Sequence, residues 1–447
     1  MKNLYQGVNL LFMLFFSSLI QAQPIKLITL DPGHFHAALV QKTMYPEIDP
    51  TVHVYTKAGN DLQLHLDRIH NYNTRQNSPT NWKELVYTKD DFFQKMLEEK
   101  KGNLVVLAGN NQLKTEYILA LTKNAFNVLS DKPMAIDANG FEKLKSAFDE
   151  AKKNDVLLYD IMTERYEITT QLQKALSMEP SVFGILDKGS PDDPSVTKIS
   201  VHHFYKYVSG NVLTRPTWYF DVNQQGVDVT THLVDLIQWE CFPEQVIDYK
   251  KNITLLSADE WNTSVSPEEF KTVTKETEIP FFLKNTLDQE GNLQIKSNGA
   301  FTFTINGVHA KVSVTWNYKA PEGTGDTHYS LMRGTKSSLI IKQGKEENYK
   351  PTLYIEQRKD DPAFAEKLQL AVDKINPGIS IQKNDFGWQL VVPEKYNVGH
   401  EAHFAQVMDK YLGYLQHKNM PSWEVPNMLS KYFITTRAKE LASKKKS

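Results

Sequence analysis

The segment from Gly226 to Trp239 decides how the chain is organised, and its sequence is GVDVTTHLVDLIQW. As an α-helix with 3.6 residues per turn, it places Asp228, His232 and Asp235 at positions i, i+4 and i+7, within roughly 60° of one another around the axis. Apolar residues elsewhere on the wheel can bury the helix against a core. The segment therefore predicts a packed helix with one titratable face, although a solvated face that carries these groups by chance has the same pattern.

Length and composition limit the classes of protein that the chain can form. It has 447 residues, of which 40% are hydrophobic and 23% charged, and this length favours two domains over one core. Lys and Arg number 51 and Asp and Glu number 53, so the net charge of −2 provides no field for binding nucleic acid. A single cysteine, Cys241, leaves no partner for an internal disulfide.

Residues 1–22 have the pattern of a signal peptide. Lys2 precedes an apolar run from Val8 to Ile20, and Ala22 precedes the expected cleavage point. The run is too short to span a bilayer comfortably, and no later segment offers about 20 apolar residues, so we expect no integral membrane segment in the mature chain. The sequence predicts export to the periplasm, and since it has no twin-arginine pair, we expect the chain to cross the membrane unfolded.

Short apolar segments alternate with helical patterns in the first third of the mature chain. Strands are predicted at residues 25–30, 52–56, 104–108 and 126–129, with helices between them. This alternation predicts an α/β domain with a doubly wound parallel sheet of the Rossmann type, and we assign residues 23–160 to it.

The turn after the first predicted strand spans residues 31–36 and reads DPGHFH. A glycine turn before a helix can bind phosphate because the helix N-terminus presents free N–H groups. Only Gly33 stands where a dinucleotide fingerprint has three glycines, so the turn alone is a weak signal. His34 and His36 are possible metal ligands, but no acidic or histidine partner follows at helical spacing, and we expect no metal site.

The second predicted strand ends at Lys57 and not at an acid. An Asp or Glu at this position would bind the ribose hydroxyls of NAD, whereas Lys57 would meet the 2′-phosphate of NADP or simply face water. We therefore expect NADP to bind at least as well as NAD.

From residue 161 the pattern changes to alternating strands. They are predicted at residues 198–208, 300–305, 308–318, 338–342 and 353–356, with a hairpin turn at Asn306-Gly307. We assign residues 161–437 to an α+β domain with a largely antiparallel open sheet, which helices at 168–177 and 228–239 cover. We expect the basic residues 438–447 to fray, and we expect a homo-oligomer that forms through this second-domain sheet.

One motif between the domains is similar to a signature of the Gfo/Idh/MocA oxidoreductase family. Asp131-Lys132-Pro133 follows a predicted strand and resembles the family's Glu-Lys-Pro. Asn110-Asn111 stands where the family usually has Pro-Asn. Taken alone, these residues favour a loop lysine that has no role.

A second motif strengthens this resemblance. Gly226, Asp228, His232 and Asp235 match the family's Gly-Gly-x-x-x-Asp-x-x-x-His-x-x-Asp pattern, with a shorter spacing at the glycine end. Arg165 matches the arginine that opens the family's second domain. With both motifs in the right order, the resemblance covers nearly the whole mature chain.

The resemblance implies hydride transfer between a sugar-like alcohol carbon and the nicotinamide of NAD or NADP. His232 is the expected base, Lys132 stabilises negative charge on the reacting oxygen, and Asp228 binds a sugar hydroxyl or orients the imidazole. The expected cofactor-binding residues are Gly33, His34, Phe35, Lys57, Asn110, Asn111, Asp131 and Lys132. The expected substrate-binding residues are Arg165, Trp218, Asp228 and Asp235, although Trp218 is equally compatible with a core position.

Three functions are compatible with these residues. The first is an NAD(P)-dependent dehydrogenase of a sugar, glycoside or polyol. The second is redox-neutral glycoside cleavage, in which oxidation at C3 acidifies C2–H, the aglycone is eliminated, water adds and the ketone is reduced again. The third is a non-catalytic periplasmic sugar-binding protein, against which Lys132 and His232 argue.

Overall fold

The computed structural model of the protein describes residues 25–208 and 211–445. The predicted signal peptide lies outside these residues. Within the two ranges, no helix combines the length and the apolar character that crossing a membrane requires.

The first domain contains a six-stranded parallel sheet with helices on both faces. The strands are β1 (Leu27–Leu30), β2 (Thr51–Tyr55), β3 (Lys83–Tyr87), β4 (Leu104–Leu107), β5 (Asn127–Ser130) and β6 (Leu158–Asp160). The helices are α1 (His36–Val40), α2 (Asn60–Thr74), α3 (Phe92–Glu99), α4 (Asn111–Lys123) and α5 (Ala138–Lys153).

The strand order of this sheet is β3-β2-β1-β4-β5-β6. The order reverses between β1 and β4, and in open α/β sheets ligands bind beside the carboxyl ends of the strands at such a point. Both strands are buried along their whole length because helices cover both faces.

The second domain contains a nine-stranded sheet, a two-stranded ribbon and the remaining helices. The strands of the large sheet are β7 (Val196–Tyr205), β10 (Ile253–Val265), β11 (Leu293–Ile305), β12 (Val308–Lys319), β13 (Thr327–Arg333), β14 (Ser337–Gln343), β15 (Thr352–Gln357), β16 (Ser380–Asn384) and β17 (Gly387–Val391), and β8 (Tyr207–Val208) and β9 (Asn211–Val212) form the ribbon. The helices are α6 (Ile168–Ser177), α7 (Tyr219–Val222), α8 (Val227–Cys241), α9 (Pro267–Thr274), α10 (Phe364–Ile375), α11 (His400–His417) and α12 (Glu424–Lys444).

The large sheet has the order β10-β11-β12-β7-β13-β14-β15-β17-β16 and is antiparallel except between β7 and β12. Asn306 and Gly307 both have positive φ and form the hairpin between β11 and β12, as the sequence predicts. The predicted fold class is therefore confirmed. No strand was predicted at β3, β6, β10, β13, β16 or β17. The side chains of β3, for example, are mostly exposed and show no apolar alternation.

Helix α12 packs into both domains. Tyr432 belongs to the core of the first domain, whereas Ala438 and Ala442 belong to the core of the second. The helix continues to Lys444, so the expectation that residues 438–447 fray is wrong for most of this segment. The two alanines, four residues apart, allow a lysine-rich helix to pack closely against β10.

A network of five buried charged residues holds α8 against α12 and β6. Lys431 Nζ lies 2.7 Å from Asp160 Oδ2 and 2.8 Å from Asp235 Oδ1. Arg165 Nε lies 2.6 Å from Asp235 Oδ2, and its Nη1 lies 3.1 Å from Glu424 Oε2. Every charge in the network therefore has an opposite charge in direct contact.

This network gives buried protein partners to Arg165 and Asp235, which were expected to bind substrate. The sequence analysis assigns both to substrate binding, but buried partners already neutralise their charges, and neither lines the large cavity described below. Asp235 lies on the same face of α8 as His232, one turn further from the cavity. We therefore assign both residues to positioning α8.

We expect Lys431→Met to lower the free energy of unfolding by about 3–5 kcal/mol, because it leaves Asp160 and Asp235 buried without their shared cation. The control is Lys153→Met, whose ammonium is mostly exposed and pairs with Glu150 at a helix surface. Its expected effect is below about 1 kcal/mol. Denaturant unfolding of both variants measures the difference, and equal losses would contradict a stabilising network.

Candidate active site

A cavity of about 1020 Å³ lies between the two domains, beside the ends of β1 and β5. Helix α8 forms one wall, and its Asp228 and His232 face the space, as the helical spacing predicts. Lys132 reaches the same space from the loop after β5. The structure thus brings together the three residues that the sequence analysis assigns to catalysis.

Lys132 and Asp228 form a buried ion pair across the domain boundary. Lys132 Nζ donates to Asp228 Oδ1, and Tyr219 Oη donates to Asp228 Oδ2 at 2.6 Å. The Asp228 backbone N–H bonds to Asn223 Oδ1 at 3.1 Å. Burial raises the pKa of Asp228, but the charge of Lys132 and the hydrogen bonds from Lys132 and Tyr219 outweigh burial and hold the pKa far below its usual range. Asp228 is therefore ionised at every physiological pH.

His232 lies one helical turn after Asp228 and is buried. Burial, followed by the positive charge of Lys132, lowers the pKa of His232 to about 4. Its Nδ1 has no hydrogen-bond partner among the described residues and is sealed from solvent. His232 is therefore a neutral imidazole at pH 7 and can accept a proton.

The turn after β1 brings two histidines to the carboxylate of Asp131. His34 Nδ1 lies 2.7 Å from Asp131 Oδ2, and His36 Nδ1 lies 3.0 Å from Asp131 Oδ1. The sequence analysis found no acidic partner for these histidines because the partner follows β5, 95 residues away from His36. Phe35 lines the cavity between them, with its ring centroid 4.5 Å from that of His36.

Trp218 lies against the glycine turn and not in the large cavity. A Cβ placed on Gly33 would be 3.2 Å from Trp218 Nε1 and 3.0 Å from Asp61 Oδ2. Trp218, which was expected to stack on a sugar, packs against the turn at Gly33 instead. Asp61, in the first turn of α2, is a neighbour of the turn that the sequence analysis missed.

The other expected cofactor residues surround the same edge of the sheet. Asn110 caps α4 by accepting from the Gln112 N–H at 3.0 Å, and Asn111 Oδ1 accepts from the buried Lys114 Nζ at 2.5 Å. Lys57 is exposed at the end of β2. Their contacts with a cofactor, and the preference for NADP, stay predictions.

Glu164, Arg215, Trp316 and His400 line the cavity and had no signal in the sequence, and Tyr219 contacts Asp228 without lining it. Tyr219 donates to Asp228 and so orients it. Glu164 Oε1 lies 3.3 Å from Nδ1 of His400, the first residue of α11. Arg215 is buried, donates to the carbonyls of β7 and stacks near the rings of Tyr219 and Trp316. These residues come from four separate segments, so only the folded chain brings them together.

Comparison with protein families identifies two models that cover most of the chain. Residues 172–443 match the model described as "Putative oxidoreductase C terminal domain". Residues 56–159 match "Oxidoreductase family, NAD-binding Rossmann fold". The second match begins after β2 and so leaves out the glycine-poor turn. No curated protein matches the sequence.

Solved structures give the same result. A "putative oxidoreductase" from Parabacteroides merdae is 53% identical, with a TM-score of 0.91 over 94% of this chain and 98% of that chain. Two other structures share the fold at 12% identity and 94% coverage of this chain. Levoglucosan dehydrogenase with NADH and levoglucosan has a TM-score of 0.58 over 98% of its chain, and a 3-ketoreductase from Actinomadura kijaniata with NADP has 0.56 over 97%.

The two matching models, one for a Rossmann domain and one for a C-terminal domain, define an NAD(P)-binding oxidoreductase. The chain belongs to the Gfo/Idh/MocA family, as its two motifs indicate. The resemblance stated from the sequence is thereby confirmed, and NAD or NADP is the cofactor of this fold.

The residues at the glycine turn fit a dinucleotide by their charge, although not by a glycine-rich fingerprint. The absent Cβ of Gly33 makes room for Asp61 Oδ2 and Trp218 Nε1, which lie 3.0 and 3.2 Å from where it would be. Arg68 and Arg215 line a small space at this turn and bring two positive charges to it, although Arg215 also donates to two carbonyls of β7. His34 and Lys132 line the adjoining cavity, where a nicotinamide would lie. Asp61 is the residue that opposes binding, because its carboxyl lies beside the turn.

We expect cofactor affinity to rise as pH falls through about 6. Burial and then the charge of Asp31 raise the pKa of Asp61 to about 6, so its carboxyl is neutral below this pH and repels a pyrophosphate above it. Asp61→Asn should bind NADH at pH 7.5 roughly tenfold more tightly than the natural chain, equivalent to about 1.4 kcal/mol. Fluorescence titration at pH 5.5 and 7.5 measures both effects.

The matched control for this experiment is Asp67→Asn, on the exposed side of the same helix. It should leave the affinity and its pH dependence unchanged. Equal affinities of the natural chain at the two pH values would contradict a role for Asp61.

Proposed function

We propose that the protein is an exported, periplasmic NAD(P)-dependent oxidoreductase that transfers hydride to or from a hydroxyl-bearing carbon of a sugar, glycoside or polyol. The observation that carries the proposal is the convergence of Lys132, Asp228 and His232 on one cavity at the carboxyl edge of the Rossmann sheet. The levoglucosan complex of a protein with the same fold supports a carbohydrate substrate. Assembly through the nine-stranded sheet is part of the proposal, and light scattering tests it.

His232 acts as the base in this proposal. Its Nδ1 is sealed in the protein, so Nε2 is the nitrogen that meets the cavity and accepts the proton of the substrate hydroxyl. The bound cofactor supplies the hydride acceptor at its nicotinamide ring. Because His232 is neutral at pH 7, the base is in its competent form before substrate arrives.

Lys132 stabilises the negative charge that develops on the reacting oxygen, and Asp228 holds Lys132 in place. The Lys132 ammonium is fixed by Asp228 and offers its remaining donors to the cavity, where they stabilise a developing alkoxide. Asp228 is held by Tyr219 as well, so it stays ionised and can accept from a second hydroxyl of the substrate. This arrangement fixes the position of a polyhydroxylated ligand.

We expect Lys132→Met and His232→Ala each to lower turnover at least about 100-fold, because each removes a group that acts on the reacting oxygen. Steady-state kinetics with a saturating cofactor measure the effect. Lys206→Met is the control, since Lys206 lines the same cavity but pairs with Asp326. It should change turnover less than about tenfold, and near-normal turnover of Lys132→Met or His232→Ala would remove that residue from the mechanism.

Redox-neutral glycoside cleavage is the second candidate, and the predicted export favours it. A periplasm has little free NAD(P) to exchange, so an enzyme there gains from regenerating its own cofactor. Glycosidases of this kind do not need the two carboxylates of ordinary glycoside hydrolysis. Both candidates use the same three residues, so variants cannot separate them.

Turnover in heavy water separates the two candidates. A dehydrogenase requires added cofactor, accumulates a keto-sugar with reduced nicotinamide, and leaves the C2 hydrogen of the sugar in place. A cofactor-recycling enzyme acts on a glycoside without added cofactor and places deuterium at C2, because elimination requires that proton to leave. We expect the dehydrogenase result, and mass spectrometry of the sugar product together with nicotinamide absorbance measures it.

A further inference from the structure

The large cavity between the domains is lined by equal numbers of basic and acidic side chains. Among the described residues, five Lys or Arg and five Asp or Glu side chains line it. Burial lowers the pKa of His232 to about 4 and that of His328, another lining residue, to about 3, so both imidazoles are neutral at pH 7. The formal charges of these side chains therefore balance, and they offer no excess charge to an ionised substrate.

Three of the basic side chains are lysines, and each already has an acidic partner. The pairs are Lys132 with Asp228, Lys42 with Glu401, and Lys206 with Asp326, and Lys206 Nζ lies 3.3 Å from Asp326 Oδ2. A substrate carboxylate or phosphate would have to take a lysine away from its partner, which leaves a protein carboxylate unpaired. An uncharged substrate leaves all three pairs intact.

The two arginines of the wall are engaged by the main chain. Arg75 donates from Nε and Nη2 to the carbonyl oxygens of Ser78 and Lys42 at 2.9 and 2.7 Å. Arg215 donates from the same two nitrogens to carbonyls of β7 at 2.7 and 2.9 Å. The Nε–Nη2 edge of each guanidinium is therefore occupied, and this edge is one of those that bind a carboxylate or phosphate with two parallel hydrogen bonds.

A row of three uncharged polar side chains crosses the sheet of the second domain in this wall. Ser200 of β7 is in register with His328 of β13, and His328 is in register with Gln343 of β14. Side chains at such paired positions stand on the same face of a sheet. All three line the cavity, so they form one strip of hydrogen-bonding groups along the space that Lys132 and His232 also line.

His328 is the residue of this row whose hydrogen-bonding pattern indicates the ligand. Its Nδ1 lies 2.8 Å from Ser200 Oγ. No hydrogen bond from the described residues engages its Nε2, and this atom is not sealed from solvent. In a neutral imidazole, Nε2 donates in one tautomer and accepts in the other. A sugar hydroxyl suits either tautomer because it both donates and accepts, whereas the oxygens of an ionised carboxylate or phosphate only accept.

We propose that the substrate is an uncharged saccharide and that Ser200, His328 and Gln343 bind hydroxyl groups away from its reacting carbon. This proposal rests on the proposed function, because the row contacts substrate only if Lys132 and His232 act on a sugar in this cavity. It excludes uronates, sugar phosphates and nucleotide-linked sugars as substrates. Each of these would bring a negative charge into a wall whose cations already have partners.

Sugars that share a ring configuration and differ in charge test the substrate class. The probes are D-glucose, D-galactose and D-mannose, each with its uronate and its 6-phosphate, on the full mature chain with saturating cofactor. We expect kcat/KM for the best uncharged sugar to exceed that of its two ionised forms at least about tenfold, equivalent to about 1.4 kcal/mol. A uronate or a sugar phosphate as the best substrate would overturn the proposal.

Calorimetric titration with the same compounds separates this proposal from the proposed function. Binding of an uncharged sugar in preference to its ionised forms, without turnover, supports the substrate class and contradicts hydride transfer. Binding of an ionised form in preference contradicts the substrate class alone. A chain that neither binds nor turns over any of these sugars overturns both proposals.

The role of the row is tested with the uncharged sugar that these measurements identify. His328→Asn keeps a polar atom where Nδ1 lies, and so keeps the contact with Ser200, but it removes the atom at Nε2. It should raise KM roughly tenfold and change kcat less than about twofold, because this contact is made equally in the ground state and in the transition state. His328→Gln places a polar atom near the position of Nε2 and should recover most of the affinity.

His309→Asn is the matched control. His309 lies in β12 of the same sheet, its Nδ1 is 3.1 Å from the carbonyl oxygen of Lys188, and it is not among the residues that line the cavity. It should leave KM unchanged, and circular dichroism checks that every variant folds. If His328→Asn does not fold, Gln343→Leu, which removes the amide at the end of the row, provides the same comparison. Equal KM values for the row variant and His309→Asn would overturn the subsite, and so would a loss in His328→Asn that His328→Gln does not reduce.

Discussion

The contact between Lys132 and Asp228 determines the arrangement of the whole site. Both charges are buried at the boundary of the two domains, and a buried charge without its partner is strongly destabilising. Lys132 follows the parallel strand β5, whereas Asp228 begins the helix α8. The pair therefore fixes the edge of the Rossmann sheet against the second domain. Because the two walls of the cavity are joined at this contact, the cavity keeps its shape.

The same lysine sets two protonation states in opposite directions. Its charge keeps Asp228 ionised, and it adds to burial in keeping His232 neutral. A hydrogen-bond acceptor and a proton acceptor therefore stand one helical turn apart, each in its competent form. Titratable groups whose environments separate their pKa values in this way are typical of acid–base sites.

Local patterns in the sequence predicted buried strands and the polar face of a helix. Continuous apolar runs identified β1 and β4, and the spacing within residues 226–239 placed Asp228 and His232 on one face of α8. It could not predict which buried charges meet across long stretches of chain. The partners of Arg165, Asp235 and Lys431 lie in separate elements. Arg165 and Asp235 were therefore expected to bind substrate, and Lys431 gave no signal in the sequence.

In the candidate site too, local motifs were predictable and contacts between distant segments were not. The motif residues were predictable because the family resemblance carries them as a group. Asp61 and the contact of Asp131 with two histidines were not, since each depends on how loops from different strands converge. Trp218 shows the limit of reasoning from residue type, because an aromatic side chain near a sugar motif proved to cover the nucleotide turn.

Helix α12, which contributes to the cores of both domains, also bears on when the chain can fold. It follows every other described element in the chain, so a nascent polypeptide lacks part of both cores until this helix has left the ribosome. Each domain therefore completes its core only at the end of synthesis. The sequence predicts export of an unfolded chain, and a helix that completes both cores only at the end of synthesis would suit such a route.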